Sequence, residues 1–178
     1  MKAFVTSIGE QTTELCKWSL ERNGFEVVVL QDSTSLAQKL KHIYENETKD
    51  FLRVDADVIV NRHMKPDIEV DPDIWWVQFQ CFCWYKQNVS NGGIQFIKKE
   101  ALPILRSHID EAMNLDRPET YVYRLAEFSN PRRCITQEGI MGIHGYSQTN
   151  TDRVKGIKAR RNQLQDYDFE LTQKLNEL

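Results

Sequence analysis

Cysteine is scarce in this sequence, and its spacing is not that of a stapled fold. Four cysteines occur among 178 residues, and only Cys81 and Cys83 are close together, two positions apart in a strand-like segment. This spacing matches neither a zinc ribbon nor a dense disulfide framework. We therefore expect reduced thiols.

Long apolar runs are also missing. No stretch approaches about 18 consecutive apolar residues, the length that a membrane-spanning helix requires. The first residues, MKAFVTS, lack the apolar core and cleavage site of a signal peptide. The sequence therefore predicts a soluble, cytoplasmic protein without a transmembrane segment, at most peripheral to a membrane.

Neither sign of charge is in large excess. Lysine and arginine together number 23 and aspartate and glutamate 26, for a net charge of −3. A balance this close to neutrality does not indicate a nucleic-acid partner. The chain also has no internal repeat or low-complexity tract, and its length suits one compact domain.

Strand and helix patterns alternate over the first third of the chain. Strand-like runs cover residues 2–7, 25–30 and 51–60, and helical patterns cover 11–23 and 35–46. This alternation predicts a parallel sheet, in which binding sites lie at the carboxyl ends of the strands.

The rest of the chain adds a different set of elements. An aromatic strand is predicted over 75–85, a second strand over 91–97, and helices over 99–114 and 116–128, which together predict a mixed sheet. Apolar residues recur at sevens from 157 to 178. We therefore predict one domain over 1–153 and an amphipathic helix over 154–178, with a homodimer through that helix as one possibility.

Asp55 and Asp57 are the most informative residues for function. Only Arg53 and these two carboxylates interrupt the apolar run 51–60, and residues two apart in a strand point to the same side. Burying two adjacent carboxylates is costly unless a cation compensates, which favours a divalent metal site. The alternative is a pair of solvated acids in a turn.

His144 is a candidate third ligand, because it lies among small residues in the run GIMGIHG. An imidazole beside two carboxylates favours Mn²⁺. The alternative is a histidine that is hydrogen-bonded to the backbone. Basic residues follow, and among them Arg153 and Lys155 are candidates for neutralising a diphosphate.

Together these residues resemble the glycosyltransferases of GT-A fold. The shared features are the first strand ending in Thr6 and Ser7, Asp32 after the second strand, the Asp-Ala-Asp triplet after the third, Asn91-Gly92-Gly93, and a late histidine. The order of these motifs is closest to the retaining family-eight-like enzymes, although their Lys-Pro-Trp ending is absent.

The resemblance implies an α/β fold with a mixed, mainly parallel sheet flanked by helices and a Rossmann-like nucleotide-binding half. It implies a Mn²⁺- or Mg²⁺-dependent enzyme that transfers a sugar from a nucleoside-diphosphate sugar to a glycan, lipid-linked or protein acceptor.

The resemblance also implies a role for each motif residue. Thr6, Ser7 and Asp32 would hold the nucleoside, and Asp55, Asp57 and His144 the metal and diphosphate. Asn91, Gly92 and Gly93 would shape the donor-sugar and acceptor pocket. Asp116 and Glu119 are the candidate catalytic acids, with helix capping as the alternative.

Three other functions are alternatives. A sugar-nucleotide nucleotidyltransferase would carry a glycine-rich, basic loop after the first strand; residues 7–13, SIGEQTT, lack both features, which argues against this function. A metal-dependent phosphodiesterase or nuclease would need more clustered carboxylates. A non-catalytic partner would use the final helix to dimerise.

Overall fold

The computed structural model describes residues 1–84, 87–115, 117–129 and 134–145. The strands are β1 (Lys2–Ser7), β2 (Glu26–Gln31), β3 (Phe51–Asp55), β4 (Val58–Val60), β5 (Trp76–Cys83), β6 (Asn88–Ile97) and β7 (Cys134–His144). The helices are α1 (Thr13–Glu21), α2 (Leu36–Asn46), α3 (Leu102–His108) and α4 (Pro118–Ser129), and 3-10 turns at Lys99–Ala101 and Ile109–Ala112 flank α3. The predicted helix 154–178 lies outside the described residues.

The strands form one mixed sheet in the order β2-β1-β3-β6-β5-β7-β4. The ladders β1–β2, β1–β3 and β5–β7 are parallel, and the ladders β3–β6, β5–β6 and β4–β7 are antiparallel. Consequently β1, β2, β3, β5 and β7 run in one direction and β4 and β6 in the other. This confirms the predicted mixed, mainly parallel sheet.

Local sequence signals explain the parallel half of the sheet. Gly24 ends the turn after α1 with a φ of +91°, a conformation that glycine adopts without strain. Ser35 begins α2 with a capping box, in which its hydroxyl accepts from the Gln38 amide at 3.2 Å and its own amide donates to Gln38 Oε1 at 2.8 Å. Both boundaries agree with the predicted ones to within a few residues.

Two apolar layers cover the two faces of the sheet. Cys16 and Leu20 of α1 pack on one face, together with Met64 from the segment that follows β4. Leu40 and Tyr44 of α2 pack on the other face, with residues of α3 and α4. Helices on both faces explain why the strands β1 and β3 are buried almost throughout.

The strand-like run over 51–60 is divided in the structure, and the Asp-Ala-Asp triplet lies at the end of the third strand, as predicted. The chain turns at Ala56 and Asp57, so that β3 ends at Asp55 and β4 begins at Val58. The apolar pattern did not reveal this turn, because residues on both sides of it are buried.

Asn91-Gly92-Gly93 was also predicted as a turn entering a strand, but it lies inside β6. The register with β5 shifts there, since Gln78 pairs with Gln95 whereas Gln80 pairs with Asn91. Gly92 and Gly93 have φ values of +122° and +83°, which allow this bulge.

All four cysteines are buried free thiols. Within the part of the chain that the structure describes, no helix is both long enough and apolar enough to cross a lipid bilayer.

Candidate functional site

Three of the predicted positions lie at one edge of the sheet. Thr6 pairs with Asp55 in the β1–β3 ladder, and Asp32 directly follows β2, the other neighbour of β1. Because these strands are parallel, their carboxyl ends meet at this edge. The structure therefore confirms that these positions are neighbours, as the strand order of an open α/β sheet requires.

Asp55, Asp57 and His144 come together beyond that edge. One potential ligand atom from each lies within 4.8 Å of the others. His144 Nε2 is 3.3 Å from Asp57 Oδ2, and His144 Nδ1 is buried without a hydrogen-bond partner among the described residues. Two carboxylates and an imidazole are a donor set that suits Mn²⁺ or Mg²⁺. The cluster therefore fits a divalent cation.

The end of β7 delivers His144 to the two aspartates. His144 pairs with Val58 of β4, and the Gly145 amide donates to the Asp57 carbonyl at 2.9 Å. On the other side, the Trp84 amide donates to the His144 carbonyl at 2.8 Å. The backbone around the histidine is therefore fixed from two directions.

Burial dominates the electrostatics of Asp57, which is 4 % exposed. Desolvation raises the pKa of its carboxyl group from 3.8 to about 6, although His144 opposes the rise and Asp55 adds to it. A carboxylate held in this way gains stability from a bound cation. The raised pKa is therefore consistent with a site that is built for a metal.

The raised pKa predicts a pH dependence of stability for the metal-free protein. The folded state binds a proton at Asp57 that the unfolded state has already lost between pH 4 and pH 6, so stability falls as the pH rises through this window. The free energy of unfolding of the wild type, minus that of Asp57→Asn, should fall by about 2 kcal/mol from pH 4 to pH 7.5. Urea denaturation in EDTA at a series of pH values measures this difference. A difference that does not change with pH would contradict the raised pKa of Asp57.

Arg53 lies beneath Asp55 and is 1 % exposed. Its Nη2 atom donates to Asp55 Oδ1 and, at 3.2 Å, to Thr6 Oγ1, and its Nη1 atom donates to Gln95 Oε1 at 3.4 Å. Residues 53 and 55 share one side of β3, which explains the contact. The sequence analysis treated Arg53 only as an interruption of an apolar run and missed this role.

Gly93 lies against the cluster of Asp55, Asp57 and His144. A β-carbon at this position would lie 2.7 Å from Val58 Cγ2, 3.4 Å from His144 Cδ2 and 3.7 Å from Asp55 Oδ2. At Gly92 a β-carbon would meet nothing within 4 Å. Only one of the two glycines is therefore required by space as well as by backbone conformation.

Alanine at each glycine should separate these two requirements. Both variants should lose stability, by about 1–3 kcal/mol each, because both φ values are positive. Only Gly93→Ala should also weaken Mn²⁺ binding, by about tenfold, since its methyl group displaces Val58, the strand partner of His144. Thermal unfolding and the electron paramagnetic resonance signal of free Mn²⁺ measure the two effects. Equal Mn²⁺ affinities of the two variants would contradict this account.

A cleft of about 660 Å³ opens from the cluster between the sheet and α4. Asp55, His144 and Gly93 form one end of it, and the side chains of α4 form the opposite wall. The other residues that line the cleft are Leu36, Arg53, Gln78, Cys83, Ser90, Asn91, Gly92, Gln95, Arg117, Glu119, Thr120, Tyr123, Arg124 and Glu127. Its size and polar lining suit a ligand of nucleotide-sugar dimensions.

Glu119 belongs to this cleft. Its Oε1 atom accepts from Thr120 Oγ1 at 3.1 Å, and its Oε2 atom is buried without a hydrogen-bond partner among the described residues. The other predicted catalytic acid, Asp116, and the predicted diphosphate ligands Arg153 and Lys155 lie outside the described residues.

The hydroxyl groups of Thr6 and Ser7 are engaged within the protein. Thr6 accepts from Arg53, and Ser7 Oγ lies 2.7 Å from Glu10 Oε2 and 2.8 Å from Thr13 Oγ1. Both side chains are therefore part of the frame at the end of β1.

Asp32 is oriented by the turn that follows β2. Its carboxylate accepts from the backbone amide and the hydroxyl group of Thr34, which lowers its pKa, and its side chain is 59 % exposed. The carboxylate is therefore ionised and open to solvent.

Lys39 joins the ends of β1 and β2. Its ammonium group is buried and donates to the carbonyl groups of Ser7 at 2.9 Å, Asp32 at 3.1 Å and Thr34 at 2.9 Å. The sequence analysis missed Lys39 as well. A lysine on the otherwise apolar face of α2, beside Leu40 and Ile43, was the available signal.

No protein-family model and no curated protein sequence matches this chain. Solved structures do match. One is a glycosyltransferase involved in glycosylation of the major capsid of PBCV-1, which is 18 % identical in sequence to this chain. The match covers 89 % of this chain and 98 % of the glycosyltransferase, with a TM-score of 0.55. A CTP:phosphocholine cytidylyltransferase from Streptococcus pneumoniae is 12 % identical, with coverages of 89 % and 97 % and a TM-score of 0.52.

A Drosophila galactosyltransferase, in a complex with manganese, UDP-Gal and xylobiose, is 11 % identical, with coverages of 83 % and 71 % and a TM-score of 0.51. At these identities the similarity shows the fold. This chain has a GT-A-like fold, as the sequence motifs predicted.

Proposed function

We propose that this protein is a metal-dependent glycosyltransferase, which transfers a sugar from a nucleoside-diphosphate sugar to an acceptor hydroxyl group. The proposal rests chiefly on the cluster of Asp55, Asp57 and His144 beside the carboxyl ends of the parallel strands, because Asp55 and His144 of this cluster line a cleft. The similarity to two glycosyltransferase structures supports it.

In this proposal Asp55, Asp57 and His144 hold Mn²⁺ or Mg²⁺. The metal supplies positive charge to the departing diphosphate. Asp32, which is ionised and exposed, binds the nucleoside at the end of β2, while Thr6 contacts Arg53 and Ser7 contacts Glu10 at the end of the neighbouring strand β1. Arg153 and Lys155 are proposed to bind the diphosphate.

The transfer breaks the bond between the anomeric carbon and the diphosphate oxygen, and both electrons leave with the diphosphate. A new bond forms from the acceptor oxygen to the anomeric carbon, and the acceptor proton passes to a base. Glu119 is our candidate for that base, because it lines the cleft and its Oε2 atom has no hydrogen-bond partner among the described residues. Asp116 is the second candidate.

The acceptor is proposed to be a glycan, a lipid-linked sugar or a protein, bound in the part of the cleft between α4 and the bulge at Asn91-Gly92-Gly93. Polar planar side chains such as Gln78 and Gln95, with an aromatic ring at Tyr123, suit sugar hydroxyl groups and sugar faces. A cytoplasmic location and a homodimer through 154–178 also remain proposals.

A nucleotidyltransferase is the second candidate, because the cytidylyltransferase structure has a similar TM-score. The loop after β1 argues against it. The Glu10 carboxylate accepts from the Ile8 amide at 2.7 Å and from Ser7 Oγ at 2.7 Å. An acid therefore occupies donors that a nucleoside triphosphate would need there.

The two candidates release different products. We would incubate the protein with Mn²⁺ and either nucleotide sugars or nucleoside triphosphates plus sugar 1-phosphates, and identify the products by ³¹P nuclear magnetic resonance. Release of a nucleoside diphosphate from a nucleotide sugar would support the glycosyltransferase. Release of pyrophosphate would support the nucleotidyltransferase instead.

A further inference from the structure

Arg53 is a buried cation that touches both a predicted metal ligand and the nucleoside end of the site. Its guanidinium group donates to Asp55, to Thr6 of β1 and to Gln95 of β6, so it connects three adjacent strands. Burying an arginine is costly unless it is paired. Asp55 supplies that pairing for a side chain that is 1 % exposed, so the ion pair and the predicted metal site share one carboxylate.

The contact with Arg53 orients the Asp55 carboxylate. Oδ1 is bound to the guanidinium group, and Oδ2 lies 3.7 Å from the position that a β-carbon on Gly93 would occupy. The second oxygen therefore lies on the side on which Gly93 also borders His144.

The charge of Arg53 acts against a free cation. Among the side chains that form the cluster or contact it, the carboxylates of Asp55 and Asp57 supply two negative charges, and Arg53 cancels one of them. The Glu10 carboxylate adds a weaker negative charge at Asp57 and is itself bound by the Ile8 amide and the Ser7 hydroxyl group. A divalent cation bound alone would leave the group with a net positive charge in a partly buried site, which is unfavourable. A diphosphate removes that excess, so the cation and the diphosphate should stabilise each other.

We propose that Arg53 is a positioning residue that aligns Asp55 and makes tight binding of the divalent cation depend on the nucleoside diphosphate. This inference rests on the proposed function, because it takes Asp55 as a metal ligand. The coupling is reciprocal, so the cation must raise the affinity for the diphosphate by the same factor.

The test is the affinity for Mn²⁺ of the full chain, measured from the electron paramagnetic resonance signal of free Mn²⁺. The affinity is measured once without nucleotide and once with a saturating concentration of a nucleoside diphosphate. The diphosphate used is the one among UDP, GDP, ADP and CDP that stabilises the wild type most. In the wild type the diphosphate should raise the affinity by at least about tenfold. In Arg53→Gln the factor should fall to about twofold or less, while the affinity without nucleotide stays equal or rises.

Further variants separate charge from structure. Arg53→Lys keeps the charge and should keep most of the coupling. Gln95→Glu is nearly isosteric and pairs the guanidinium group with a second carboxylate, so it should lower the coupling even if Arg53→Gln fails to fold. Arg106→Gln is the control, because Arg106 donates to the carbonyl groups of Tyr44 and Glu47, away from the cluster; this variant should lose stability and keep the coupling.

The possible failures are distinguishable. A wild type that binds no Mn²⁺ under any condition would overturn the proposed metal site, and this inference with it. Two other results would overturn the inference and leave the metal site in place. One is a wild type whose Mn²⁺ affinity does not change when the diphosphate is added. The other is that the diphosphate raises the Mn²⁺ affinity of Arg53→Gln and Gln95→Glu by the same factor as in the wild type.

Discussion

Asp57→Asn is expected to abolish the Mn²⁺-dependent part of nucleotide binding, lowering the affinity by about 100-fold or more, while the protein remains folded. The substitution removes one of two carboxylates from the cluster but keeps the size of a side chain that is almost wholly buried. Because the pKa of Asp57 is raised to about 6, its neutral replacement should also make the metal-free protein more stable at neutral pH. Calorimetric titration with a nucleoside diphosphate in Mn²⁺ and in EDTA measures the first effect.

The opposite signs of the two effects make this prediction specific. A variant that merely damages the fold would lose stability and binding together. Asp110→Asn serves as the control, because Asp110 is exposed and pairs with Lys41 away from the cleft. Unchanged Mn²⁺-dependent affinity in Asp57→Asn would contradict the assignment of the metal ligands.

Lys39→Met is expected to lower the free energy of unfolding by about 3 kcal/mol and to weaken nucleotide binding. The ammonium group is the shared donor for three carbonyl groups at the ends of β1 and β2, and an apolar replacement leaves them without it. The turn that carries Asp32 would then lose its anchor to Ser7. Thermal and urea unfolding measure the stability, and calorimetric titration measures the binding.

Lys41→Met is the matched control, two residues further along the same helix. The Lys41 side chain is 33 % exposed and pairs at 2.6 Å with Asp110, whose side chain is 70 % exposed. Exposed ion pairs contribute about 1 kcal/mol or less, so this variant should lose little stability and no nucleotide affinity. If Lys39→Met and Lys41→Met lost similar amounts of stability and nucleotide affinity, the carbonyl contacts of Lys39 would contribute nothing specific to either.

The sequence predicted the sheet well where one signal decided each element. The β-branched run before Gln31, the capping residue Ser35 and the glycine after α1 each have a single physical meaning, and the structure agrees with all three. The gathering of Asp32, Thr6 and Asp55 at one edge also follows from strand alternation, because parallel strands end together.

The sequence could not show how the late part of the chain returns to this edge. His144 reaches Asp57 because β7 pairs with β4 and β5, and strand pairing over such separations leaves no local pattern. The turn at Ala56 was hidden for a related reason, since both flanking strands are buried. Arg53 was misread because its partner Asp55, two residues away, was considered only as a metal ligand.

The central claim is that the site binds a nucleotide and a divalent metal together. The most direct test is the melting temperature of the wild type with a panel of nucleoside diphosphates and nucleotide sugars, each in Mn²⁺ and in EDTA. We predict that one nucleotide family raises the melting temperature by about 5–10 °C at 100 times its dissociation constant, and only in Mn²⁺. No shift with any nucleotide, or the same shift in EDTA, would contradict the account.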